Sequence, residues 1–204
     1  GVSLYTGIGV EQISAEQGSF SGLILTDGTT LQGEILVVGI GVTPDSNLAR
    51  QAGIETEHAN GGAILVDASM RTNNPDIIAI GDVALRRGNS PHVESVHNAQ
   101  DSAARAAAAI LGQPLPALQA PRFWSDQYDA NLQSVGIVPT GADDIYQIAR
   151  PGKGESFWSY QDKNLVAVEA IRDLENFVLG TKCLDNNISP DPHLISDPAF
   201  NPMA

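Results

Sequence analysis

Residues 72–84 read TNNPDIIAIGDVA. Asn73-Asn74-Pro75-Asp76 is a turn signal. Ile77-Ile78-Ala79-Ile80 is an unbroken apolar run that predicts a buried strand. That strand runs into Gly81-Asp82, which sets a carboxylate at the carboxyl edge of a sheet, where α/β folds bind ligands. Gly81 has no side chain to block an approaching ligand, and Asp82 can accept hydrogen bonds from sugar-type hydroxyls. The dipeptide also suits a turn or a cap, and by itself it leaves both readings open.

A dozen residues on, Glu94-Ser95-Val96-His97 opens the clearest helix of the chain, from Val93 to Leu111. Its alanine run has high helix propensity, and Gly112 and Pro114 stop it. The start presents free N–H groups and positive potential to an electron-rich ligand; capping by Glu94 and Ser95 is the plainer role. His97 has no second histidine at ligand spacing, so no metal site is expected.

Upstream, Val10–Ile13 and Ser21–Thr26 predict strands, with a hairpin turn at Asp27-Gly28. Glu34–Val38 reads as a strand covered on both faces. Gly39-Ile40-Gly41-Val42 follows, where glycines permit close backbone approach. Thr43 then suits an N-cap, with Pro44 first in a short helix that stops at Gly53. Ala63–Val66 is another strand. No G-x-G-x-x-G occurs, and Gly7-Ile8-Gly9 lacks the third glycine. Downstream, Gln113–Pro121 holds three prolines and reads as a linker. Strands are predicted at Arg122–Ser125, Leu132–Val135, Ile145–Ala149, Glu155–Tyr160 and Leu165–Ile171, and a helix at Leu174–Lys182. The last twenty residues hold four prolines and read as an extended or partly ordered tail.

The 204 residues include 24 acidic and 11 basic side chains, a net charge of −13. That balance argues against nucleic-acid and anionic-membrane binding, which need Lys and Arg. No apolar run reaches the ~18 residues of a membrane span. A single cysteine, Cys183, excludes an internal disulfide, a redox dithiol and a cysteine-held metal cluster in this chain. A reducing compartment, the cytoplasm, is expected. The Gly start suggests a piece of a longer protein.

Four segments carry a family resemblance: LQGEILVVGIGVTPDSNLARQA (31–52), TNNPDIIAIGDVA (72–84), ESVHNAQDSAARAAA (94–108) and PRFWSDQYDANLQSVG (121–136). In order and spacing the chain resembles the FAD-dependent pyridine-nucleotide reductases, of the ferredoxin/rubredoxin reductase type that serves oxygenase chains. The resemblance implies α/β plus α+β architecture, part of a two-dinucleotide-binding-domain flavoprotein reductase fold with a C-terminal α+β domain. It divides the chain into the end of an NAD(P)H domain (1–43), a second segment of an FAD domain (44–115) and a C-terminal domain (116–204). Both glycine-rich phosphate loops would belong to a missing N-terminal half.

The resemblance also implies roles. Asp82 would bond the ribityl chain of FAD, with Gly81 giving clearance and Val83 adjoining. Ser95 and Val96 would face the pyrimidine edge of the flavin. Gly39 and Gly41 would line the nicotinamide side of NAD(P)H, with Glu94 a looser candidate beside it. Trp124 would stand near the flavin or in the core. No catalytic side chain is required, because the flavin carries the chemistry. The implied function passes electrons from NAD(P)H through flavin to a ferredoxin or rubredoxin-type partner; the alternative is a truncated, redox-inactive binding module. Such partners are typically acidic, so a basic docking face is expected: either Arg86, Arg87, Arg105, Arg122 and Arg150 cluster, or the missing half supplies the charge.

Overall fold

The structure is a computed structural model that describes residues 1–57, 62–88, 91–142, 144–150, 152–195 and 197. The chain forms two units, Gly1–Val42 and Thr43–Ala204.

The first unit is an antiparallel meander of β1 (Val10–Glu16), β2 (Ser19–Leu25) and β3 (Thr30–Gln32). The β1–β2 turn places Gln17 and Gly18 at φ 50° and 83°, the left-handed pair that matches strand twist. The β2–β3 turn is the expected Asp27-Gly28: Gly28 has φ +84°, and the Asp27 carboxylate accepts from Thr29 N at 2.8 Å. That hydrogen bond lowers the Asp27 pKa below the ordinary carboxylate value. Glu34–Val38 forms no strand. Ile35, Val37, Val38, Ile40 and Val42 are all more than 60% exposed. An apolar strand of this kind needs a neighbour on each side, and the described residues of this unit supply neither.

The second unit opens on α1 (Asn47–Gln51), three residues later than the expected start. Ser46, not Thr43, is its N-cap, and Gly53 follows its end at φ +73°. Strand β4 (Ile64–Val66) pairs in parallel with β5 (Ala84–Arg86), Leu65 opposite Leu85. Ile77–Ile80 is not the expected strand. The turn at Asn73–Asp76 folds it back on Met70–Thr72, with Thr72 N to Ile77 O at 3.0 Å and Ala79 N to Met70 O at 3.1 Å. One bridge, Arg71 with Ile78, is too short for a ladder. Only Ala79 of the four is buried. Helix α2 (Val96–Ile110) packs over this layer, its Ala106 touching a core of Val66, Met70, Ala79 and Ala84.

Beyond the extended linker, β6 (Arg122–Gln127), β7 (Ala130–Gly136), β8 (Asp144–Arg150), β9 (Gly154–Gln161) and β10 (Asn164–Ile171) form an antiparallel sheet of order β6-β7-β10-β9-β8. The five strands and the following helix, α3 (Leu174–Asp185), fall where the sequence predicts them. Asp173 caps α3, its Oδ1 accepting from Asn176 N at 3.2 Å. Asn176 is fully buried and donates to Ser156 Oγ at 2.9 Å, which also accepts from Trp158 Nε1 at 3.2 Å. Of the two expectations for the tail, partial order is the one found. Tyr160 donates to Pro190 O at 2.8 Å, and α4 (Pro192–Ile195) seats Ile195 in the core with Val135, Trp158, Val168 and Cys183. The later tail residues lie outside the described ones.

Helix α3 lies so close to the sheet that a Cβ on Gly180 would sit 2.6 Å from Val168 Cγ2. Gly180→Ala is therefore expected to lower stability by about 1–3 kcal/mol through overpacking, read as a shift in urea midpoint with unchanged slope. Burial pushes the Cys183 thiol up to about 11. The folded state holds this proton more tightly than the unfolded chain, so the contribution is complete below about pH 9 and lost as pH rises toward 11. Urea stability should fall above pH 9, and less steeply in Cys183→Ala; burial of Tyr160, which raises its pKa too, adds to the fall.

Candidate cofactor site

Gly81–Val83 is a single 3-10 turn between an extended Ile80 and β5. Asp82 thus stands at the amino end of β5, rather than at the carboxyl end of a strand. Gly81 has φ +74° and open space where a Cβ would be, so the backbone conformation requires glycine. Two side chains fix the turn. Gly81 N donates to Ser102 Oγ at 2.9 Å, and that hydroxyl donates to Ala99 O at 2.9 Å within α2. On the other side, His92 Nε2 lies 2.6 Å from Asp82 O. A carbonyl only accepts, so Nε2 carries the proton. The Asp82 carboxylate is left exposed, with no hydrogen-bond partner among the described residues.

The turn is held against the helix whose start was singled out in the sequence. Ser95 is the N-cap of α2, its hydroxyl accepting from Asn98 N at 3.1 Å, and Asn98 Nδ2 donates to Val93 O at 2.8 Å. The cap role expected of Ser95 is realised. Glu94 is exposed and outside the helix. The amides of Val96 and His97 have no acceptor among the described residues, as the geometry of a helix start dictates. Val96 is exposed; His97 Nε2 meets Gln119 Oε1 of the linker at 3.1 Å. Val83 lines an apolar hollow of about 390 Å³ with Ile54, Ile64, Ile77 and Ala79.

Trp124 lies on the edge strand β6 opposite Gln133 and is 49% exposed. The core alternative for it falls; Trp158 is the fully buried tryptophan. Gly39 and Gly41 belong to the other unit, where neither would bring a Cβ within 4 Å of a neighbour.

Three of the five arginines are held in ion pairs within the chain. Arg87 pairs with Glu55 at 2.6 Å, Arg122 with Asp185 at 2.6 Å, and Arg105, 3% exposed, with Asp101 at 3.0 Å. Three of the expected docking charges are thus spent on internal pairs; the side chain of Arg150 lies outside the described ones. Among the described residues no three His, Cys, Asp or Glu side chains converge as a metal site, and no helix is long and apolar enough to cross a membrane.

The sequence did not single out Ser102 or His92, and Arg105, expected at a docking face, is instead a buried tie to Asp101 and Pro116. Ser102, with Asp101 and Arg105 one turn apart, interrupts an alanine-rich helix face, and that interruption was the available signal. Ser102→Ala strands the Gly81 amide and is expected to cost about 1–3 kcal/mol, with faster hydrogen exchange at Gly81 and unchanged exchange in the β9–β10 hairpin.

The sequence pattern of pyridine nucleotide-disulphide oxidoreductases matches residues 1–103, and that of reductase C-terminal domains matches residues 122–202. The chain is 36% identical over 190 residues to the probable ferredoxin reductase CtmF of Castellaniella defragrans, covering 90% of this chain and 45% of that protein. A crystal structure of a ferredoxin reductase from Rhodopseudomonas palustris superposes at TM-score 0.85 and 34% identity, over 97% of this chain and 49% of that one. The covalent putidaredoxin reductase–putidaredoxin complex gives TM-score 0.86 and 26% identity, over 97% and 48%. The chain spans about half the length of the relatives it matches.

Proposed function

As the chain belongs to the pyridine nucleotide-disulphide oxidoreductase family, we propose that it is the latter part of an FAD-dependent NAD(P)H:ferredoxin or rubredoxin oxidoreductase. Its relatives include a probable ferredoxin reductase and a reductase joined to putidaredoxin, which supports a small electron-carrier protein as acceptor. The bound flavin supplies the hydride and electron chemistry. This chain supplies placement and electrostatics.

The observation that carries the reading is the fixed Gly81–Asp82 turn. Its backbone is tied at Gly81 N and at Asp82 O, so Asp82 presents a free carboxylate from a backbone with little freedom to move. An exposed carboxylate without a partner suits the hydroxyls of a ribityl chain. The glycine leaves the adjoining space open. The free amides of Val96 and His97, at the positive end of a four-turn helix, favour the electron-rich edge of a flavin ring. Half-exposed Trp124 offers an aromatic face that a ring system can stack on. Gly39, Gly41 and Glu94 remain the candidates for the nicotinamide side. The phosphate-binding loops, and with them the choice between NADH and NADPH, belong in this reading to the N-terminal half.

The test uses the flavin-loaded protein that carries this chain. NAD(P)H should reduce an iron–sulfur or rubredoxin acceptor in its presence. Asp82→Ala should keep its fold and bind FAD ten- to a hundredfold more weakly, the equivalent of a charged hydrogen bond of about 1.5–3 kcal/mol. Unchanged flavin content after dialysis of the folded variant would contradict the role.

A further inference from the structure

Asp185 stands in the last turn of α3, where the helix field opposes a carboxylate. A residue that breaks a local preference calls for a compensating interaction, and here it is found outside the helix. Asp185 Oδ2 takes the Arg122 guanidinium at 2.6 Å, and Oδ1 accepts from Ala120 N at 3.0 Å. One carboxylate thus holds the end of the linker and the first residue of β6. The pair is only about a quarter exposed, so it is less screened than a surface ion pair.

The other end of the linker is also tied. Arg105, buried in α2, donates to Pro116 O at 2.7 Å and pairs with Asp101. Gln119 meets His97, and Pro121 O accepts from Gly136 N at 2.9 Å. The segment between α2 and β6 contains no regular structure, yet residues 116, 119, 120 and 121 are each tied to a fixed element. Arg122 and Trp124 are two apart on one strand, so they share a face. The register confirms it, with Arg122 opposite Val135 and Trp124 opposite Gln133. Trp124 sits on an edge strand with solvent on one side and cannot rely on core packing to hold its ring.

We propose that Asp185 is a positioning residue: through Ala120 and Arg122 it fixes the start of β6 and so sets the Trp124 ring relative to the flavin. The inference rests on the reading that Trp124 faces that ring. An indole stacked on a flavin quenches its fluorescence, and the quenching weakens as the ring moves away.

The experiment measures flavin fluorescence per bound FAD in the holoprotein. Trp124→Ala should be several-fold brighter than the parent. Asp185→Ala should be brighter in the same direction at full FAD content, and Asp185→Ala with Trp124→Ala no brighter than Trp124→Ala alone. Asp185→Asn keeps the side-chain size and an acceptor for Ala120, which secures a folded protein if Asp185→Ala fails to fold; it should also brighten, and Asp185→Glu should restore part of the quenching. If Trp124→Ala stays dark, the underlying reading fails. If Trp124→Ala brightens while Asp185→Asn does not, or if the two effects add, the positioning role is overturned.

Discussion

The hydroxyl of Ser102 accepts from Gly81 N and donates to Ala99 O, and the candidate site is organised around that pair of hydrogen bonds. Without it, a glycine at φ +74° would have many conformations open to it, and the carboxylate that follows would have no fixed direction. Ser102 is itself buried on the face of α2 that meets the β4–β5 layer. The energy that holds it in place is therefore apolar packing, delivered through one polar atom. The small side chains of α2 matter for the same reason: they allow its backbone to come near enough to the turn for a serine to bridge the gap.

The same helix governs the other half of the unit. Arg105 carries its charge into the interior and offsets the desolvation through Asp101, Ala68 O and Pro116 O. Those bonds tie an otherwise irregular linker to α2, and Asp185 ties its far end to α3. The C-terminal sheet then has its own source of rigidity. Trp158, Asn176 and Ser156 form a buried polar contact within the Val135, Val168 and Cys183 core, where Gly180 brings the helix close. Rigid elements joined by a tethered linker are what a site assembled from several parts of one chain requires.

Most of this was legible where sequence signals act locally. The five C-terminal strands and α3 were visible because alternation and turn residues define each one, and Gly112 marked the end of α2 because left-handed φ favours glycine. Failures came where a partner decides the conformation. Ile77–Ile80 has the composition of a strand but folds back on Met70–Thr72. Glu34–Val38 has the composition of a central strand and no flanking strand among the described residues of its unit. Within the candidate site, Gly81, Asp82, Ser95 and Val96 were legible from type and order. Ser102, His92 and Asp185 were not, because their role lies in a partner 21, 10 and 63 residues away.

In the proposed function one cofactor is grasped by the Gly81–Val83 turn and the start of α2, with Trp124 alongside. Hydrogen exchange of the whole protein, followed residue by residue with and without FAD, tests it most directly. FAD should slow exchange within this chain at residues 81–83, at the amides of Val96 and His97, and around Trp124, while the β8–β9 edge exchanges as before. Protection that skips the turn and the helix start, or appears only in the β8–β9 edge, would contradict it.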